Sequence, residues 1–348
     1  MKSIRNFLGI IVTTIAFTNI SCIWSNPSLI STKVLAESSN LESKPTLQAA
    51  LSSLNIKTGQ QIGIGVLDLN TGESWFRNRK QKFPMQSVYK LPIAIAILKL
   101  VDDGKISLNQ TITITKEDFA PGNSPIVKEI NSSNTQFTVR DLLIRAMSVS
   151  DNTASDALVR LIGSPSKVNQ ILVKLKIHNV RIDRLERQIQ PDSVGLTNPL
   201  PEWSDAKTFE AVIQQAPTSA KQIGLKKYLT DPRDTATPEG LVNLLARLQK
   251  QQLLSSDSTA LLLQIMTNSP SGQKRIKAGL PKNWSIAHKT GTGVEVLGIG
   301  SATNDVGIVS SPNGKHIAIA IFIPGSKIPL KERERLMANI AEMVVQVN

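Results

Sequence analysis

The sequence predicts an α/β fold of the α+β type, in which both ends of the chain build one antiparallel sheet and an all-α lobe is inserted between them. Three observations lead to this expectation. Strand-like segments occur near the start, at 61–68, and near the end, between 284 and 323. Helical periodicity dominates the residues between them, and the closing segment, 330–347, has the spacing of an amphipathic helix.

The elements are predicted in the following order. A helix at 47–54 precedes a strand at 61–68, which ends in the turn Asn70-Thr71-Gly72. The apolar run Leu91–Val101 is too long for a typical strand, so it predicts a buried helix with Ser87 at its N-terminus. Further helices are predicted at 138–147, 153–162, 167–175, 206–215, 238–251 and 258–266, and strands at 284–288, 306–309 and 316–323.

Residues 1–36 are expected to be a signal peptide and leader. Lys2 and Arg5 precede the run Phe7–Thr18, whose 12 residues are too few for a bilayer that needs ~20. The small-residue site Val34-Leu35-Ala36 predicts cleavage after Ala36, and lipid attachment at Cys22 is the alternative. Export to the periplasm or the medium follows, without a stable membrane span. Cys22 is the only cysteine, so an intramolecular disulfide is excluded.

Residues 37–348 are expected to form one domain of two lobes. The α/β lobe combines about 45–85 with 280–348, and the all-α lobe covers 86–279. The net charge of +13 is scattered, and the aromatic content of 4% is low, so nucleic acid is not an expected partner. The three histidines, at 178, 288 and 316, form no metal-ligand motif, and we expect neither a metal nor a cofactor.

Three short motifs point to acyl transfer. Ser87-Val88-Tyr89-Lys90 places a lysine one helical turn after a serine, so that the ammonium can reach the hydroxyl. Ser150-Asp151-Asn152 and Lys289-Thr290-Gly291 follow in order. Each motif alone is weak, because serine-x-x-lysine recurs at 164–167 and 271–274, and Lys-Thr-Gly recurs at 57–59. The order of all three is typical of class A β-lactamases and penicillin-binding proteins.

From about Leu47 to the C-terminus, the chain resembles the class A serine β-lactamases. Further matches are the approach to the nucleophile, 83–87, the two ends of the omega loop, 181–186 and 233–238, and the strand motif Thr303-Asn304-Asp305. The resemblance implies hydrolysis of small-molecule β-lactams, with Ser87 as the nucleophile, by a protein that we expect to be a monomer.

The resemblance also implies roles for the other motif residues. Ser150 would pass a proton to the ring nitrogen as it leaves, with Lys90 and Lys289 setting the local potential, and Glu186 would activate the water that removes the acyl group. Backbone N–H groups of Ser87 and Thr292 would bind the oxyanion. The expected substrate-binding residues are Asn152, Thr290, Gly291, Thr292 and Arg275, and the expected structural residues near the site are Arg184, Asp234, Asp156 and Gln190.

Several features depart from the family pattern, and they concern deacylation. Gln190 and Asp156 both replace asparagines, and two close carboxylates would raise one pKa. The omega loop is long, with 47 residues between Glu186 and Asp234, and its insertion could cover the site, narrow substrate choice or displace Glu186. Closing so long a loop has only a modest entropic cost.

Alternatives remain open at this point. A D,D-peptidase, or a β-lactam sensor that is acylated once, would share the serine and lysine motifs. Arg275 could be a surface charge, Asn152 could shape a turn, and Ser87 could be a helix cap. His288 is expected to pack rather than react.

Overall fold

The computed structural model describes residues 47–52, 54 and 61–347. The predicted signal peptide and leader, Cys22 and the second Lys-Thr-Gly sequence lie outside these residues. Across the described ranges, no helix has both the length and the apolar character needed to span a bilayer.

A central antiparallel sheet organises the fold, as the sequence predicts. The described residues contain ten strands: β1 Gly63–Asp68, β2 Ser74–Arg77, β3 Phe83–Pro84, β4 Thr111–Thr113, β5 Gln136–Thr138, β6 Thr235–Ala236, β7 Ser285–Thr292, β8 Glu295–Val296, β9 Ile299–Ser310 and β10 His316–Ser326. Five of them follow the order β2-β1-β10-β9-β7, and β8 pairs with β9. Strands from both ends of the chain therefore share one sheet, which confirms the predicted fold class.

The helices surround this sheet. They are α1 Leu47–Ser52, α2 Lys90–Asp102, α3 Val139–Ile144, α4 Asn152–Ile162, α5 Pro165–Lys174, α6 Glu186–Asp192, α7 Ala206–Gln215, α8 Thr218–Thr230, α9 Pro238–Gln249, α10 Ser256–Thr267 and α11 Leu330–Val347. One face of the sheet packs on α1 and α11 through isoleucines such as Ile319 and Ile321. The other face contributes Val306, Ala320 and Phe322 to a larger apolar core, to which α2, α4, α9 and α10 also contribute. Because both faces are buried, β10 has a continuous apolar sequence from residue 317 to residue 323.

The helical region differs from the prediction in its helices α6 and α8, which were not predicted, in its small sheets and in the placement of α9. It contains two small two-stranded sheets, β3-β6 and β4-β5, whose strands have only two or three residues and leave no alternating pattern in the sequence. Helix α9 packs on the central sheet, although its residues lie in the range predicted for the all-α lobe. At this contact, a Cβ added to Gly65 of β1 would lie 2.9 Å from the carbonyl oxygen of Pro238.

Candidate active site

Ser87 and Lys90 lie at the start of the buried helix α2. A 3₁₀ turn, Gln86–Tyr89, leads directly into α2, so that the two side chains share one face. Lys90 Nζ donates a hydrogen bond to Ser87 Oγ at 2.9 Å. Asn304 on β9 fixes the approach to the turn, because its Nδ2 donates to the carbonyl oxygens of Pro84 and Met85.

Gly291 brings β7 against this turn. A Cβ added to Gly291 would lie 2.5 Å from the carbonyl oxygen of Met85 and 3.2 Å from the backbone nitrogen of Val88. Any larger residue would push the strand away from the serine. The glycine of the Lys-Thr-Gly motif therefore has a steric role: it lets Lys289, Thr290 and Thr292 approach the nucleophile.

Lys90 connects the nucleophile to the carboxylate of Glu186. Its Nζ lies 2.8 Å from Asn152 Oδ1 and 2.5 Å from Glu186 Oε1, and 3.5 Å from Ser150 Oγ. The Lys90 and Glu186 side chains are 0% and 1% exposed. A buried ion pair of this kind is tolerated only when hydrogen bonds satisfy both partners, as they do here.

Ser150 and Lys289 form a second pair beside the first. Ser150 follows a π-helical turn, Arg145–Val149, and has a left-handed backbone with a φ of 63°. Its Oγ accepts a hydrogen bond from Lys289 Nζ at 3.0 Å. Burial, and next the charge of Lys90, lower the pKa of Lys289 well below its usual value. Such a lysine exchanges a proton with the serine more readily than an exposed one.

Asn152 lies at the N-terminus of α4 and is held by the protein. Its Oδ1 accepts from Lys90, and its Nδ2 donates to the carbonyl oxygen of Pro121 at 2.8 Å. A side-chain amide has two donor hydrogens and two acceptor lone pairs, so each end keeps one hydrogen-bonding position for a ligand. Asn152 does more than shape a turn, because it orients the lysine ammonium.

Glu186 is the first residue of α6, and Gln190 lies one turn later. Gln190 Nε2 donates to Glu186 Oε2 at 2.7 Å, while Glu186 Oε1 accepts from Lys90. The longer side chain of Gln190 therefore reaches the carboxylate directly. Both oxygens of Glu186 have a donor, which fixes the orientation of the carboxylate.

Asp156 on α4 anchors the first turn of α6. Its two carboxylate oxygens accept from the backbone nitrogens of Glu186 at 2.7 Å and Arg187 at 3.0 Å. Complete burial, and next the charge of Glu186, raise the pKa of Asp156 to about 7. The sequence predicted such a shift from the neighbouring carboxylates, and the structure adds burial as the larger cause.

We expect the stability contribution of Asp156 to depend on pH. An unfolded chain loses this proton near pH 3.8, whereas the folded chain retains it to about 7, so stability falls as pH rises between these values. Between pH 5 and pH 8 the loss is about 3 kcal/mol. Urea unfolding measures this effect. The free energy of unfolding of Asp156→Asn, taken relative to that of wild type, should rise by this amount between pH 5 and pH 8, whatever its value at either pH.

The matched control is Asp257→Asn, at an exposed position on α10. Its difference from wild type should be the same at both pH values. An Asp156→Asn difference that does not change with pH would contradict the assignment.

The two ends of the omega loop are joined by a buried ion pair. Arg184 Nε donates to Asp234 Oδ2 at 2.7 Å, and both side chains are 6% exposed. Asp234 Oδ1 accepts from the backbone nitrogens of Asp183 and Arg184. Asp192 and Asp231 also contact Arg184, at 2.8 and 3.3 Å. The long insertion is therefore closed at its base, and Glu186 keeps its place beside Lys90.

Arg275 is buried rather than a surface charge. It is 5% exposed, and its guanidinium donates to Thr292 Oγ1 at 2.7 Å and to the carbonyl oxygen of Asn304 at 2.9 Å. Thr290 Oγ1 donates to Ser271 Oγ at 3.0 Å. Together with Lys289, these groups give one end of the site a positive character suited to a carboxylate.

His288 packs beneath the strand, as the sequence predicts. It is 1% exposed, and its Nδ1 lies 2.8 Å from Asp305 Oδ1. Within the described residues, no group of three or more His, Cys, Asp or Glu side chains is arranged to hold a metal ion.

The omega insertion supplies one wall of the active-site cavity. The cavity has a volume of about 600 Å³, within the range of small-molecule sites. Ser87, Ser150, Asn152, Thr290 and Thr292 line it, and so does one face of α7: Ala206, Phe209, Glu210, Ile213 and Gln214. The sequence predicted helix α7 at 206–215 but gave no means of placing it.

Helix α7 is fixed on both sides of the cavity. Phe209 packs on Trp203, whose carbonyl oxygen accepts from the backbone nitrogen of Gly122 at 2.7 Å. Phe209 and Ile213 also belong to a small apolar cluster that includes Val296 of β8. The insertion therefore contacts both edges of the cleft.

The sequence analysis missed one contact near the site: Gln86 lay within the matched segment 83–87 but was given no role, and Tyr228 was not identified. Gln86, just before the nucleophile, and Tyr228 on α8 are hydrogen-bonded to each other. The positive φ of Gln86, 47°, is a property of the backbone that a glutamine does not signal. Helix α8 was missed because it lacks a clear apolar face: Ile223 is 68% exposed, whereas Lys221 is buried.

Comparisons with known proteins agree with this geometry. The sequence model of the Beta-lactamase enzyme family matches residues 45–347. The chain is 32% identical to β-lactamase VEB-1 of Pseudomonas aeruginosa over 285 residues, 81% of this chain and 84% of that protein. A β-lactamase structure from Chitinophaga pinensis aligns with a TM-score of 0.68 and 30% identity, over 86% of this chain and 96% of that one. An ancestral class A β-lactamase aligns with a TM-score of 0.70 and 28% identity, over 87% of this chain and 100% of that one. With matches of this extent, the chain belongs to the β-lactamase enzyme family.

Proposed function

We propose that this protein is a serine β-lactamase that forms an acyl-enzyme on Ser87 and clears it with water activated by Glu186. The proposal is carried by one observation. Lys90 Nζ contacts both Ser87 Oγ and Glu186 Oε1, so the nucleophile and the carboxylate share one buried network. A protein that only captures β-lactams has no need of a carboxylate in that position.

Acylation begins when Ser87 Oγ attacks the carbonyl carbon of the ring. The Ser87 proton passes to Lys90 as Lys90 gives its own proton to Glu186 Oε1, 2.5 Å away. Backbone N–H groups of Ser87 and Thr292 stabilise the oxyanion of the tetrahedral intermediate. The C–N bond of the ring then breaks, and the ring nitrogen takes the Ser150 proton. Lys90 gives a proton to Ser150 and takes one back from Glu186 Oε1, which returns Lys90 to its ammonium form and Glu186 to its ionised form.

Deacylation uses the same carboxylate. Glu186 removes a proton from a water molecule, which attacks the acyl carbonyl, and the proton is delivered to Ser87 Oγ as the ester bond breaks. Gln190 and Lys90 hold the two carboxylate oxygens and thereby orient the base. Asn152 would bind the side-chain amide of the substrate, and Thr290, Thr292 and Arg275 would bind its carboxylate.

Time-resolved intact-mass measurement with a penicillin tests this function. Wild type should gain the mass of the intact drug and lose it again while product accumulates beyond one equivalent. Ser87→Ala should never gain mass. A wild type that holds its adduct for hours would instead be a sensor, and one that releases D-alanine from a D-Ala-D-Ala peptide would be a peptidase.

We further propose that the protein is exported and acts as a monomer. The charged and apolar segments of residues 1–36 support export, and the mature chain would begin at Glu37. The intact mass of protein recovered from the periplasm or the medium tests the site of cleavage. Added lipid mass at Cys22 would favour the anchored form, and light scattering at micromolar concentration measures the oligomeric state.

A further inference from the structure

We propose that Tyr228, on the inserted helix α8, is a positioning residue for the deacylating carboxylate. This inference rests on the proposed function and goes beyond it, because Tyr228 lies outside every motif that carries the resemblance. Its hydroxyl contacts Gln86, and Gln86 contacts Gln190, which holds Glu186. The insertion therefore contributes to the chemistry as well as to the wall of the cavity.

The first contact is short and buried. Tyr228 is 5% exposed, and its hydroxyl oxygen accepts from Gln86 Nε2 at 2.6 Å. Gln86 itself is 4% exposed and has a φ of 47°, a conformation that non-glycine residues adopt only when their surroundings hold them. The tyrosine therefore orients the Gln86 side chain, whose oxygen faces Gln190.

The next contacts fix which way each amide faces. An ionised Glu186 only accepts hydrogen bonds, so Gln190 must present its NH₂ group, and Nε2 lies 2.7 Å from Glu186 Oε2. The same NH₂ group lies 3.5 Å from Gln86 Oε1. Gln86 therefore faces Gln190 with its oxygen and Tyr228 with its nitrogen. Each donor in this series points either towards the tyrosine, which serves as the final acceptor, or towards the carboxylate.

The position of Tyr228 is set by close backbone packing. Helix α8 crosses residues 194–195 at two glycines: a Cβ added to Gly224 would lie 2.1 Å from the backbone nitrogen of Gly195, and one added to Gly195 would lie 2.1 Å from the carbonyl oxygen of Ala220. Such an approach leaves no room for the helix to slide. The phenol ring is thus held by a rigid element rather than by a loop.

Tyr228→Phe tests the inference, because it removes one hydroxyl and keeps the ring. Without its acceptor, Gln86 can turn, and Gln190 loses the partner that keeps its NH₂ group aimed at Glu186. We expect deacylation to slow by roughly 10-fold, in line with the loss of one buried hydrogen bond. Acylation should stay within about 2-fold, so kcat and KM should fall together while kcat/KM is kept.

Two further variants separate positioning from a structural effect. Thr230→Val removes a hydroxyl from the same helix, where it bonds only to the carbonyl oxygens of Lys226 and Lys227, and should behave as wild type. Gln86→Met should slow deacylation as Tyr228→Phe does, and the double variant should be no slower than either, because both changes break one series of contacts.

The outcomes distinguish this inference from the proposed function. If wild type turns over a β-lactam and Tyr228→Phe deacylates at the same rate as wild type, the inference is wrong and the proposed function stands. Acylation and deacylation that slow equally in Tyr228→Phe also overturn it, because they indicate a general loss of structure. A wild type that gains no mass from a β-lactam overturns the proposed function, and the inference with it.

Discussion

Replacing Glu186 with glutamine should convert a hydrolase into a protein that stays acylated. The amide keeps the size of the side chain and an oxygen for Lys90, but it cannot remove a proton from water. A general base of this kind contributes about 10²- to 10⁴-fold, so we expect deacylation to slow by that factor. Acylation should slow as well, because the amide cannot take the Lys90 proton, so the adduct should form more slowly than in wild type. Once formed, the Glu186→Gln adduct should persist in intact mass under conditions in which wild type has returned to its free mass.

A control and a second variant make this result specific. Glu210→Gln makes the same change on α7, which lines the cavity without touching Lys90, and should still clear its adduct. Glu186→Ala should also accumulate adduct, because it lacks a base as well. If either Glu186 variant cleared its adduct at the wild-type rate, Glu186 would have a structural role and another group would activate the water.

Replacing Lys90 with methionine should cause the largest loss of stability. The substitution leaves the Glu186 carboxylate, 1% exposed, without its cation, and breaking a buried ion pair on one side typically costs about 3–5 kcal/mol. Acylation should also be lost, since no other ammonium contacts Ser87 Oγ in the described structure. Urea unfolding at pH 7 measures the first effect, and burst kinetics with a β-lactam measure the second.

The double variant Lys90→Met/Glu186→Leu separates these two effects. With both charges replaced by apolar side chains of similar size, most of the lost stability should return, because no buried charge is left unpaired. Activity should stay absent. A double variant as unstable as Lys90→Met would show that the instability comes from lost packing around residue 90 and not from a stranded carboxylate.

Much of the fold could be predicted because its signals are local. Helix α2 appears as an apolar run, helices α9 and α11 as periodic segments, and the central strands as stretches rich in isoleucine. The antiparallel sheet followed from the positions of these segments at the two ends of the chain. The strands β3 to β6 could not be predicted, because pairs of two or three residues are held by their surroundings rather than by their own sequence.

The site was predictable where function dictates residue type and order. The motifs placed Ser87, Lys90, Ser150, Lys289 and Glu186, and the structure brings these side chains into one network. The motifs gave no information on the contact between Gln86 and Tyr228, because it joins residues 142 positions apart and depends on the docking of an inserted helix. The burial of Arg275 could not be predicted from the motifs either, since it results from packing against α11 through Glu334.

The docking of α7 across the cleft has a consequence for how this enzyme could diversify. The face of α7 that lines the cavity, including Glu210 and Gln214, is separate from Ser87, Lys90 and Glu186. Exchanges on this face would change the shape and charge of the cavity without altering those three residues. A new resistance profile that arises at this helix therefore requires no change in the residues proposed to make and break bonds.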